Sequence, residues 1–237
     1  MVTTPTDCLV TIVIPVLHDT AALTALLPAL SADASVQLVV VDGGAEHGPA
    51  WDALHAQYPA VEWIGAARGR AVQMNAGAAC ARGRWIVFLH ADTQLEAGWL
   101  EFLRSLNNHP SVVGGSFRFA LDSNARWARW IERGVWLRVR LFDLPYGDQA
   151  LFARRDVFDA LNGYKAMPLM EDVEFIRRLR RHGRLEHADI TALTSARRWE
   201  RDGWILRTIG NVTLLVLFLA GCPAEWLARR YYRRKAA

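Results

Sequence analysis

The sequence predicts an α/β fold, built as an open, mostly parallel, doubly wound sheet with a C-terminal helical tail. Three observations predict it. Short apolar, β-branched runs recur without polar alternation, as expected of strands covered on both faces. Helical patterns separate them. Two of the runs end abruptly in acids, Asp42 and Asp92, and the carboxyl ends of strands are where doubly wound sheets hold ligands.

The strand candidates in the first half are Leu9–Ile14, Gln37–Val41 and Trp85–Leu89. Helix candidates lie between and around them, near Thr20–Leu30, Gly48–Gln57 and Gly69–Ala81. Pro28 weakens the first, since an interior proline costs a helix about 3 kcal/mol. The opening MVTTPTDCLVTIVIPVL lacks a basic leader region and reads as a first strand rather than a signal peptide. The second half is less regular. Val112–Phe119 reads as an edge strand bent at Gly114 and Gly115. Asn124–Phe142 reads as a helix with Trp127, Ile131 and Val135 on one face. Gln149–Ala153 reads as a short strand, and Glu171–His182 as a helix closed by Gly183.

The 237 residues suit one domain with a tail: residues 1–195 as the α/β domain and 196–237 as the tail. A hydrophobic content of 52% with 22% charged residues excludes a disordered chain. The net charge is +4, of which the tail carries +6 (nine Lys/Arg against three Asp/Glu). The remainder is −2, so the globular part is not basic and nucleic acid is not implied as a partner. Cys8, Cys80 and Cys222 lack metal-knuckle or disulfide spacing and read as buried free thiols in a reducing cytoplasm.

In the tail, Arg207 and Asn211 interrupt an apolar stretch over Trp204–Ala220, shorter than the ~20 residues of a spanning helix. Beyond Pro223 the run AEWLARRYYRRKAA alternates aromatic and basic residues. Two placements stay open: an interfacial helix pair on an anionic membrane surface, at the inner face of the cell membrane, or packing on the protein's own core or on a second subunit in a homodimer.

Four passages carry candidate chemistry. Asp42, in VVVDGG, presents a carboxylate over a tight turn, where it can accept hydrogen bonds from a ribose or a uracil imide, or simply serve the turn. Arg68 and Arg70 flank Gly69 before a helix, a place suited to phosphate or to an exposed basic turn. His90 and Asp92, two apart on an extended chain, point the same way and can hold Mn²⁺ or Mg²⁺. Glu171 and Asp172 open a helix, where acids are stabilised anyway by roughly 0.3–1 kcal/mol. The preceding Met167–Met170 gives one of the two an apolar wall and a raised pKa.

The segments IVIPVL, VVVDGG, RGRAVQMNAGAA, FLHAD, YGDQALFARR, NGY and MEDVEF, in this order over residues 9–182, resemble the family 2 glycosyltransferases, which have the GT-A fold. The set is most similar to a bacterial branch of small stand-alone enzymes with HAD in place of DxD, a branch linked to arsenosugar biosynthesis. The resemblance implies an inverting enzyme that moves a sugar from a UDP- or GDP-sugar to a small-molecule or lipid acceptor, aided by a divalent cation. It implies that Asp42 binds base or ribose, with the backbone of Pro15 and Val16 closing over it and Arg68, Arg70 and Asn75 lining the pocket. Asp92 would hold the cation; His90 stands where the first acid of DxD usually is. Asp172 would be the general base with Glu171 its neighbour, and Gly147 and Asp148 would form the acceptor side. SARRW places Arg198 on the donor and Trp199 on the acceptor, with Ser195 where the family's QxxRW motif has glutamine.

Two other classes compete. A nucleotidyltransferase would carry a glycine-rich loop after its first strand, and IPVLHDT has no glycine. A nucleotide-binding or membrane-associated protein with a decayed site would not need Asp42, Asp92 and Asp172 together.

Overall fold

The computed structural model describes residues 8–31, 33–44 and 48–236, with side chains to residue 232. The first seven residues of the opening segment, and the last basic side chains of the tail, lie outside the described residues. Among the described residues, eight strands form one open sheet in the order β3-β2-β1-β4-β7-β6-β8-β5. β1 (Val10–Val16), β2 (Val36–Asp42), β3 (Glu62–Gly65) and β4 (Trp85–Phe88) are mutually parallel and make one half. β1, β2 and β4 are buried almost throughout, which is why their sequences lack alternation. The helices α1 (Thr20–Leu30), α2 (Pro49–Gln57) and α3 (Arg70–Ala79) connect them, with Pro28 carried inside α1. Ala71, Gly77 and Ala78 are small buried residues that let α3 lie close on the sheet.

The other half departs from the parallel rule. After the short β5 (Thr93–Leu95) and α4 (Trp99–Ser105), the chain builds β6 (Val112–Asp122) and then α5 (Arg126–Phe142). A 3-10 turn (Gly147–Gln149) leads into β7 (Leu151–Arg154), which runs antiparallel to both β4 and β6. Then follow α6 (Arg155–Ala160), α7 (Glu171–Leu179) and β8 (Arg184–Ser195), which pairs parallel with β6 and antiparallel with β5.

β6 is therefore an interior strand, not an edge. Its register slips against β8 at two places, between Val112 and Gly114 and between Ser116 and Arg118. The glycines belong there because a Cβ on Gly115 would overlap the Glu186 carbonyl. α5 also corrects its expected face: Ile131 and Val135 join a small core with Phe119, Leu121, Ala128 and Trp199, whereas Trp127 is 51% exposed. The three cysteines are free, but half-buried rather than buried.

The tail is three helices, α8 (Arg197–Asp202), α9 (Trp204–Leu219) and α10 (Ala224–Ala236). Leu215 and Phe218 of α9 pack into the core on the α3–α7 side of the sheet, and α10 buries Ala224, Leu227 and Ala228. Among the described residues, no helix is long and apolar enough to cross a membrane.

Candidate active site

The carboxyl ends of β1 and β2 are tied together before any functional group is placed. Gln73 of α3 is buried, and its amide donates to the carbonyls of Val16 and Val41, both at 2.8 Å. The Gly43 N–H also donates to Val16. These bonds fix Pro15 and Val16 beside Asp42, the last residue of β2. The Asp42 carboxylate accepts the Gly44 N–H at 2.9 Å, closing the turn as an aspartate with a following glycine commonly does. Gln73 was not singled out in the sequence; its place three residues after Arg70, on the same helical face, is the signal that could have found it.

Arg70 is the first residue of α3, and its guanidinium lies 3.5 Å from the Glu171 carboxylate. Burial lowers the Arg70 pKa, but Glu171, Asp172 and the nearby Tyr231 and Tyr232 outweigh it and raise the value overall. Arg68 is exposed in the turn before the helix. Asn75 is occupied elsewhere. Its Oδ1 accepts the Tyr164 N–H and its amide donates to the Tyr164 carbonyl, so it holds the NGY turn against α3.

Opposite, Met170 stands just before α7 in the left-handed region (φ +66°), and Glu171 and Asp172 follow as the first two residues of the helix. Glu171 is buried, and burial raises its pKa against the pull of Arg70. Asp172 accepts the Gly147 N–H at 2.7 Å on one oxygen and its neighbour Val173 N–H at 2.8 Å on the other. Asp148 follows in the same 3-10 turn. Its Oδ1 is enclosed without a partner, and burial, reinforced by Asp172 and opposed by Arg138, lifts its pKa to about 6. Below it, Gln149 is buried and binds Arg138, the Tyr146 N–H and the Phe117 carbonyl, which locks the turn to β6.

His90 and Asp92 part company. β4 stops at Phe88, and the Thr93 N–H closes a turn on the His90 carbonyl, so the period-two rule of an extended chain no longer applies there. The His90 ring turns toward Gly147: a Cβ on that glycine would sit 3.2 Å from His90 Nε2 and 3.4 Å from Asp172 Oδ2. Burial, with the charges of Arg70 and Arg198, holds the imidazole well below its usual range, so it is neutral at pH 7. Asp92 instead receives Arg197 at 3.2 Å, and the same guanidinium binds Asp19.

Arg197 and Asp19 were both missed, because one lies inside SARRW next to the family arginine and the other in an unremarkable turn. Arg198 projects its charge onto His90 and Asp148. Trp199 is buried against Phe119 as a core residue, and its indole N–H is enclosed without a partner.

Among the described residues, no three His, Cys, Asp or Glu side chains converge as a closed metal site. Asp92 and Asp19 bring two hard oxygen donors to one place, where the Arg197 guanidinium bridges them; a Mg²⁺ or Mn²⁺ there would displace that arginine and be shared with a phosphate-bearing ligand rather than caged by protein alone.

The architecture is that of an α/β protein with its acids and arginines gathered at the carboxyl edge of the sheet. Residues 11–167 match the family described as Glycosyl transferase family 2, and the chain belongs to it. Among solved structures it is similar to the mannosyltransferase PcManGT from Pyrobaculum calidifontis in complex with GDP-Man and Mn²⁺. The TM-score is 0.60 at 16% identity, over 78% of this chain and 56% of that one. It is similar also to S. aureus TarS 1-349 in complex with UDP, with a TM-score of 0.60 at 13% identity, over 79% of this chain and 61% of that one. The TarS complex with UDP-GlcNAc gives 0.59 at 13% identity, over 79% of this chain and 58% of that one. These likenesses show the shared GT-A fold, and the chain spans less than two thirds of each structure's length. Among curated proteins, none matches the chain.

Proposed function

We propose that the protein is an inverting glycosyltransferase that moves a sugar from a nucleotide-diphosphate sugar, a UDP- or GDP-sugar, to the hydroxyl of a small-molecule or lipid acceptor. The observation that carries the reading is the Asp172 carboxylate, held on two backbone N–H groups beside Asp148, His90 and the charge of Arg70. PcManGT with GDP-Man and Mn²⁺ and TarS with UDP-GlcNAc support the donor class.

In this reading Asp42 and the Val16 backbone hold base and ribose. Arg70 and Arg198 face the diphosphate, where negative charge grows as the sugar leaves. Asp92, with Asp19 close by, would hold a Mg²⁺ or Mn²⁺ bound to the donor, and that ion would add charge neutralisation at the same phosphates. Asp172 takes the acceptor's proton as its oxygen attacks from the face opposite the diphosphate, which inverts the anomeric centre. Neutral His90 and the enclosed Asp148 line the acceptor side with Gly147. Residues 196–237 attach the chain to an anionic membrane surface. The test is Asp172→Asn: transfer is lost while nucleotide-sugar binding by calorimetry persists, and normal transfer by this variant defeats the assignment.

A further inference from the structure

Among the described residues, every exposed large apolar side chain except Val72 lies on α5, α9 or α10. On α5 these are Trp127, Trp130, Trp136, Leu137, Leu141 and Phe142, all 49–64% exposed. On α9 they are Ile205, Leu206, Ile209, Val212, Val216 and Leu219, a helical stripe that carries no charge and is about 21 Å long. α10 adds Trp226 and Tyr232. The three helices are neighbours: α5 packs on α9, and α9 on α10. Adjacent helices with this many exposed apolar side chains stand out, since soluble proteins rarely expose more than a few hundred Å² contiguously.

The charges beside it choose the occupant. The exposed side chains of α5 include Arg126, Arg129, Arg133 and Arg140 and no acid. Its one glutamate, Glu132, is turned inward onto the Leu121 N–H and Arg129. Arginines also stand over exposed tryptophan rings of these helices: Arg133 over Trp130 and Arg230 over Trp226. Aromatic rings with cationic heads match the boundary between acyl chains and anionic headgroups. A second copy would have to meet this face with itself about a two-fold axis, setting arginine against arginine.

We propose that α5, α9 and α10 form one docking face for an anionic lipid bilayer. α5, a helix of the catalytic domain, is as much a part of it as the tail. The proposal rests on the reading of the tail as membrane-attached and extends that contact into the domain that holds the site. α10 borders that site, because Tyr231 and Tyr232 are close enough to Arg70 to act on its charge, and Tyr231 takes a 2.8 Å hydrogen bond from Arg207 of α9. A bilayer seated on the three helices therefore lies next to the site rather than at the far end of a flexible tether.

The experiment is flotation of the full chain with vesicles of equal parts phosphatidylcholine and phosphatidylglycerol, and with phosphatidylcholine alone. Wild type is expected to float with the anionic vesicles. Trp130→Glu with Leu141→Glu is expected to weaken binding roughly tenfold or more, with the melting transition kept. Trp130→Ala with Leu141→Ala reads the same contact if the charged pair unfolds. An α5 variant that floats like wild type while Arg229→Glu with Arg230→Glu is released overturns the shared face and leaves only the tail as anchor. Wild type that stays in solution, as a monomer or as a dimer dispersed by the α5 substitutions, overturns bilayer docking altogether. Nucleotide-sugar binding by the same preparations reads the catalytic proposal separately.

Discussion

The Gly147 N–H donates to the Asp172 carboxylate at 2.7 Å, joining the 3-10 turn before β7 to the first turn of α7. The bond sets where one carboxylate oxygen points, and the missing side chain of Gly147 leaves the space between His90 and Asp172 in which an acceptor hydroxyl would sit. A methyl group there would stand 3.2 Å from His90 Nε2. Gly147→Ala is expected to lower kcat more than it weakens donor binding, because it crowds the acceptor side alone. Asp172→Asn is expected to lower kcat by roughly 10²–10⁴-fold, the usual worth of a positioned base. Steady-state kinetics alongside calorimetry with the nucleotide sugar separates the two effects.

Asp148 gives the site a pH signature in stability. Its folded pKa of about 6 stands above the 3.8 of an unperturbed aspartate. The folded state therefore binds the extra proton between those two values, and the unfolded state does not. The carboxyl costs stability progressively as pH rises through about 6 and nothing below about 4. Asp148→Asn is expected to stabilise the protein at pH 8, by on the order of 1–3 kcal/mol, and to leave it unchanged or weaker at pH 4. Denaturant unfolding at the two pH values checks it; equal effects at both would show that Asp148 ionises as an ordinary surface acid.

The separation of His90 from Asp92 predicts separate phenotypes. Asp92→Ala is expected to abolish the dependence of donor binding on Mn²⁺, measured by titrating the ion with the nucleotide present. His90→Ala is expected to keep that dependence and to lose turnover, since the imidazole faces Gly147 and Asp172. If His90→Ala loses the ion as Asp92→Ala does, the two residues share a site after all.

Local chemistry accounts for what the sequence makes legible. Buried parallel strands cannot alternate, so Val10–Val16, Val36–Asp42 and Trp85–Phe88 stand out, and the acids that end or follow two of them are seen at once. The second half is harder because its signals are non-local. Gly114 and Gly115 look like an edge bend until β7 is known to press its backbone against the first and β8 against the second. Trp199 looks like a ligand surface until Phe119, 80 positions earlier, is found against it at 6.1 Å. Asn75 carries a family motif, yet its partner is the backbone of Tyr164. The Arg197 bridge between Asp19 and Asp92 spans almost the whole chain, and no spacing rule reaches that far.

Gln73 yields the last prediction. Its side-chain amide satisfies two strand-end carbonyls, Val16 and Val41, in a place that excludes water. Gln73→Leu keeps much of the volume but removes the donor to both carbonyls; Val16 keeps the Gly43 N–H, and Val41 loses its side-chain partner, at about 1–3 kcal/mol for a buried group left unsatisfied. The same change frees the ends of β1 and β2, and with them the Asp42 turn, whose Gly43 N–H is also anchored on Val16. Gln73→Leu is therefore expected to lower the unfolding free energy by a few kcal/mol and to weaken nucleotide binding. The rate at saturating donor should be nearly unchanged, because Asp172 sits on a separate element, α7. Urea unfolding and a KM-against-kcat comparison test the two halves together. A variant that loses stability but binds nucleotide normally would show that the Asp42 turn is held without β1.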